Sequence, residues 1–240
     1  HHGYTNIDGL DEDIQPPGIL RISPHRKLLK IHRFQFIYAW FLYGLMTLSW
    51  ITLKDFKQLN RYKKDGVQLT QKNSYNRLMA DLIVTKLLYY AIFLFLPILV
   101  LPIPWYVILL FFVAMHVVCG IILGTVFQAA HVVPDTKFPL PDAQGNIDIH
   151  WAEHQLSATS DFAPRNRLLS WLIGGLNFQV EHHLFPYISH VHYRNLAPLV
   201  RQTARKHHLA YHVQPTFGAA LQAHLEMLKK LGKNGSRPYK

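Results

Sequence analysis

Two stretches of the chain are almost free of polar side chains. Residues 82–101 (LIVTKLLYYAIFLFLPILVL) hold one charge, Lys86, and residues 105–127 (WYVILLFFVAMHVVCGIILGTVF) hold none. About 20 apolar residues, rising ~1.5 Å each, cross a bilayer core of roughly 30 Å. Both stretches therefore read as transmembrane helices. Pro102-Ile103-Pro104 leaves room only for a tight turn between them, so the pattern predicts a two-span hairpin. A buried helical pair of a soluble protein is the alternative, and the two lengths weigh against it. Lys54, Lys57, Arg61, Lys63, Lys64, Lys72 and Arg77 precede the hairpin, while its turn carries no charge. Positive charge marks the cytoplasmic side, which places both ends of the hairpin there.

Residues 34–53 (FQFIYAWFLYGLMTLSWITL) are also apolar, but Gln35, Tyr38, Trp40, Tyr43, Thr47, Ser49, Trp50 and Thr52 interrupt them. Trp and Tyr favour the headgroup level. Basic residues stand at both ends: Arg26, Lys27, Lys30 and Arg33 before, Lys54 and Lys57 after. The expectation is an interfacial helix on the cytoplasmic face, or one that dips in and returns; hydropathy alone leaves a crossing open. The remainder is polar. Residues 1–33 carry Asp11-Glu12-Asp13 and the turn signal Pro16-Pro17-Gly18. Residues 217–231 place Phe217, Leu221, Leu225, Leu228 and Leu231 on one helical stripe, with Lys229, Lys230 and Lys233 where a helix dipole favours them. That helix reads as an ordinary packed one. The expected fold is mainly α: one domain over 1–240, a two-span hairpin and a helical cytoplasmic cap.

Composition narrows the function. Half of the 240 residues are apolar and 16% are charged, against about 25% charged in a soluble domain. Disorder is excluded, and a single cysteine, Cys119, excludes a disulfide framework or a cysteine-based zinc ribbon. The net charge of +11 fits nucleic acid or an anionic membrane surface. No DNA-binding motif is present and the charge flanks the spans, so nucleic acid is rejected. The polar opening has no signal-peptide pattern, and none is expected.

The 16 histidines are the anomaly. In Gln179-Val180-Glu181-His182-His183, positions i, i+3 and i+4 share one helix face, between Gly174-Gly175 and Pro186. Two imidazoles and an amide aimed together suit Fe, Zn, Cu or Ni. His131 follows the second span directly. His1-His2 open the chain, where an expression-tag remnant would look the same. His116 lies mid-span, roughly 20 Å along the helix from His131; packing or a hydrogen bond across the helix pair is expected of it rather than a shared metal. His150-Trp151-Ala152-Glu153-His154 fits the inverted zinc-protease pattern H-x-x-E-H, but no third ligand helix accompanies it.

These motifs resemble those of the membrane fatty acid desaturases, above all the front-end, linoleoyl-CoA-type branch, over nearly the whole chain. Gln179, His182 and His183, ahead of Leu184-Phe185-Pro186, match that family's third histidine box, Q-x-x-H-H. His1-His2 with Tyr4-Thr5-Asn6 match the end of the second, and Ala129-Ala130-His131 an additional ligand after the last span. His154-Gln155-Leu156 to Asp161-Phe162 is also family-like, which accounts for the protease-like motif. The first box and the leading His of the second have no counterpart here. The expectation is thus an N-terminally truncated chain, inactive alone. Phe127 stands where related acyl-CoA desaturases carry an Asn that acts through water.

The resemblance implies a cis double bond made in a long acyl chain on a CoA or lipid carrier, with O2, two Fe ions and electrons from a small cytochrome- or ferredoxin-type protein. His1, His2, His131, His182 and His183 would be the surviving ligands, and Gln179 a weak or water-mediated one. Membrane lipid would surround the spans, and the site would face the cytoplasm. Zinc is redox-silent, so C–H cleavage needs another metal. A hydroxylase or oxygenase on the same scaffold, and a non-catalytic zinc-binding membrane receptor, are the alternatives.

Overall fold

The computed structural model describes residues 1–14, 18–64, 66, 74–142 and 144–233. The Pro16-Pro17 signal and Lys72 lie outside the described residues. The chain is mainly helical: α1 Gln35–Gly44, α2 Met46–Ser49, α3 Asp55–Lys64, α4 Tyr75–Tyr90, α5 Leu96–Val100, α6 Trp105–His131, α7 Trp151–Ala158, α8 Arg167–Leu172, α9 Gln179–Leu184, α10 Tyr193–Lys206 and α11 Phe217–Lys233. Two three-residue strands, β1 Ser160–Phe162 and β2 His212–Gln214, pair in parallel with Ser160 opposite His212. The chain divides into two compact units, one of residues 1–39 with 125–240, the other of 40–124.

The 40–124 unit holds the hairpin. Tyr75–Val100 and Trp105–His131, the latter running on into the other unit, are long and apolar enough to cross a membrane. The first starts seven residues before residue 82. Ser74 caps it by accepting from the Arg77 N–H, and polar residues carry the helix on outside the apolar stretch. A π-turn at Ala91–Phe95 interrupts it just ahead of Pro97. Proline lacks an N–H and its ring crowds the carbonyl four residues back, and the wider turn absorbs both defects.

The 34–53 segment is helical but broken at Leu45, where Lys30–Gly44 and Met46–Lys64 meet with a bend of 54°. Its middle lies against α6 at Gly120 and Gly124. A Cβ on Gly120 would meet the Tyr43 carbonyl oxygen at 2.4 Å, and one on Gly124 the Tyr43 Cβ at 2.7 Å. This small-x-x-x-small spacing admits backbone close to backbone. His116 bonds to Tyr89 Oη at 3.0 Å and Thr47 Oγ1 at 3.2 Å, the expected hydrogen bond across helices. Lys86, the one charge of the first span, pairs with Asp55 and donates to the Trp50 carbonyl.

In the other unit, Val126, Ala129, Ala130, Phe162, Ala163 and Ala220 form one core cluster, and Leu156, Val180 and Ala204 another. The inner face of α11 is Ala220, His224, Met227, Leu228 and Leu231. Phe217, Leu221 and Leu225 of the expected stripe are only half-buried, because His224 takes the central core position by bonding to the Val132 carbonyl at 2.8 Å.

Candidate metal centre

The five family-matched histidines converge within the 1–39/125–240 unit. His183 is central, its ring centroid 5.0 Å from His1, 4.6 Å from His2, 4.9 Å from His131 and 5.7 Å from His182. His1 and His131 face each other at 4.9 Å, and His2 and His182 at 4.6 Å. Ligand atoms of His1, His131 and His183 all lie within 4.8 Å of one another. Gln179 Nε2 lies 3.0 Å from His131 Nε2 and 3.3 Å from His183 Nε2. The resulting donor set is five imidazoles and one amide.

Local structure explains how three distant segments meet. Asn6 adopts φ 58°, a left-handed conformation that Asn tolerates better than most residues. Its amide then donates to the carbonyls of His131 at 3.0 Å and Ala158 at 3.1 Å, clipping the N-terminal loop to the ends of α6 and α7. His154 adds a bond to the Thr5 carbonyl at 2.8 Å, while His150 stays exposed. Of the protease-like pair, His154 alone is therefore a structural brace. On the far side of α9, buried Asp161 accepts from the Val180 N–H at 3.0 Å. Tyr211 Oη lies 2.7 Å from Asp161 and 2.9 Å from Glu181. Burial, then the Asp161 charge, raises the pKa of Glu181 above the usual carboxylate range.

Three of the imidazoles, His1, His182 and His183, are held by their Nδ1 atoms, whereas the buried Nδ1 of His131 has no partner among the described residues. His1 Nδ1 is 2.9 Å from Asp11 Oδ1, His182 Nδ1 is 3.3 Å from Tyr193 Oη, and His183 Nδ1 is 2.9 Å from Gln155 Oε1. A bonded Nδ1–H leaves Nε2 unprotonated, the form that binds a metal. Burial lowers the pKa of His2, His182 and His183, and in His183 the surrounding histidines add to it. The shift favours the neutral form of these rings.

Two residues were not singled out from the sequence. Gln155 is fully buried, and its Nε2 has no partner among the described residues. Gln128, one turn before His131, has a buried Oε1 equally without one. Its position beside Phe127, where the related enzymes' Asn was sought, was the available signal. Unpaired buried amides around an imidazole-rich donor set fit a bound metal with attached water.

The fold and this cluster define a membrane protein with a polyhistidine site. The chain belongs to the fatty acid desaturase family, whose model matches residues 1–215. It is 36% identical to an acyl-lipid (8-3)-desaturase of Physcomitrium patens, over 97% of this chain and 48% of that protein. It is also 36% identical to an sn-1 linoleoyl-lipid 6-desaturase of Synechocystis, over 97% and 64%. An acyl-lipid (8-3)-desaturase of Mortierella alpina is 34% identical over 97% and 52%. The chain thus spans about half to two-thirds of these relatives' length. No solved structure matches it.

Proposed function

We propose that this chain is the metal-binding and membrane-spanning part of a fatty acid desaturase that introduces a cis double bond into a long acyl chain carried on a lipid. The observation that carries the reading is the meeting of His1, His2, His131, His182 and His183 around one point. The relatives' activities on acyl-lipids, as their names state them, support a lipid carrier over CoA. His1 and His131 would hold one iron and His2 and His182 the other, with His183 between them and Gln179 acting directly or through water. Two irons bound there would supply O2 activation and the redox capacity to remove two hydrogens from a methylene pair.

The chain's own part is to keep these nitrogens deprotonated and aimed. Burial favours the first, and in His1, His182 and His183 the Nδ1 partners supply the second before any metal arrives. Electrons would come from a small cytochrome- or ferredoxin-type protein, drawn to the basic surface.

The site would lie on the cytoplasmic side, and the 34–53 segment would not complete a crossing. His1-His2 precede that segment, while His182-His183 follow it and the two-crossing hairpin. A third crossing would part the two groups by roughly 30 Å. The break at Leu45 supports a segment that enters and returns.

The test is expression of the longest form of the gene in yeast, with fatty-acid profiling by gas chromatography, beside a His183→Ala variant. A new unsaturated product that is absent from the variant is expected. A hydroxylated product, or none with zinc in place of iron, would overturn the reading.

A further inference from the structure

The short helix α8 is amphipathic, and its outer face is uncovered. Leu169 and the following Ile173 pack against the Val126–Phe162–Ala220 cluster. Leu168, Trp171 and Leu172, at i, i+3 and i+4, point the other way and are 66%, 77% and 64% exposed. The segment after the third histidine motif adjoins it: a Cβ on Gly175 would lie 3.0 Å from His190 Cβ, and Arg194 reaches Ser170 Oγ at 3.5 Å. That segment adds Tyr187, fully exposed, and Val191. An apolar patch of this kind on a protein surface marks an interaction site.

Charge identifies the occupant. From residue 162 to residue 225 the chain carries Arg165, Arg167, Arg194, Arg201, Arg205 and Lys206. The only carboxylate in that stretch is Glu181, which is buried. Arg165 and Arg167 flank α8 directly and are exposed. A Trp-bearing apolar stripe edged by arginines, with no exposed acid in its own stretch of chain, matches the chemistry of an anionic bilayer surface: the ring and leucines enter the acyl boundary and the guanidiniums meet phosphates.

We propose that α8 and the 187–191 segment form a lipid-contacting surface, separate from the spans, that seats this unit on an anionic bilayer. It borders the residues leading into and out of α9, so the lipid surface would adjoin the segment bearing Gln179, His182 and His183. The proposal does not depend on the metal or the reaction.

The experiment places a nitroxide label on Trp171→Cys, Tyr187→Cys or, as control, Gln202→Cys of α10, each in a Cys119→Ser background of the full chain. The chain is reconstituted in phosphatidylcholine–phosphatidylglycerol vesicles. Relaxation by O2, which concentrates in lipid, is compared with relaxation by a water-soluble nickel chelate. Labels at 171 and 187 should respond to O2 and be shielded from the chelate, while 202 does the reverse. Adding Arg165→Gln and Arg167→Gln should shift the 171 label toward the chelate. A 171 label as chelate-accessible as 202 would overturn the proposal. So would one shielded from both reagents, which would show a protein segment covering the face. An unchanged depth on loss of both arginines would remove the anionic lipid from it.

Discussion

Gln155→Leu separates metal binding from folding. The side chain is fully buried, and its Oε1 lies 2.9 Å from both Thr5 Oγ1 and His183 Nδ1. Leucine keeps most of the volume and removes the acceptor. Two lost hydrogen bonds cost about 1 kcal/mol each, whereas removing the unpaired Nε2 returns about 1–3 kcal/mol of desolvation. Thr5 and His183 still satisfy one another at 3.1 Å. Metal-free stability should therefore change little. Metal affinity should not survive as well. Oε1 is what keeps the proton on Nδ1 and frees Nε2, and loss of such an orienting partner typically costs about 10–100-fold in affinity, or about 1.4–2.7 kcal/mol. The assay is Co(II) and anaerobic Fe(II) titration of the detergent-solubilised chain, beside thermal unfolding without metal. Gln155→Glu retains an acceptor and should recover most of the affinity. Wild-type affinity in the Leu variant, or a metal-free destabilisation as large as the affinity loss, would show that Gln155 does not orient His183 for metal.

Other outcomes follow from the same contacts. Gly120→Val drives a Cβ into the Tyr43 carbonyl at 2.4 Å; overpacking of about 1–3 kcal/mol should lower the melting temperature by several degrees. Tyr211→Phe removes the hydroxyl shared by Asp161 and Glu181, and should cost about 1–3 kcal/mol in thermal unfolding and weaken metal retention through α9. Burial lowers His224 to about 4, so between pH 6.5 and 4 the unfolded chain takes up a proton that the folded chain refuses. Stability should fall by up to roughly 3 kcal/mol on acidification across that window. His224→Gln should flatten the slope, measured as melting temperature against pH.

The hairpin, the α9 histidine face and the end of α6 were legible because each is a local pattern: an apolar run of span length, an i, i+3, i+4 repeat, a histidine just past a span. What the sequence hid is non-local. Thr5 meets His183 across 178 positions and Gln155 across 150, so no period betrays them. The inner position of His224 was equally hidden, since an imidazole reads as polar until the Val132 carbonyl is seen to satisfy it. Gly120 and Gly124 carried a readable signal, small residues four apart in an apolar helix, whose meaning emerged only with Tyr43 against them.

Iron bound by these imidazoles would be seen directly in its own spectrum. Iron K-edge X-ray absorption of the protein, purified anaerobically in the longest form its gene encodes, tests for it most directly. Two irons per chain, a first shell of imidazole nitrogens and oxygen with no sulfur, and loss of that signal in His183→Ala are expected. A sulfur-containing shell, iron unaffected by the variant, or stoichiometric zinc with no iron would contradict two irons held by these imidazoles.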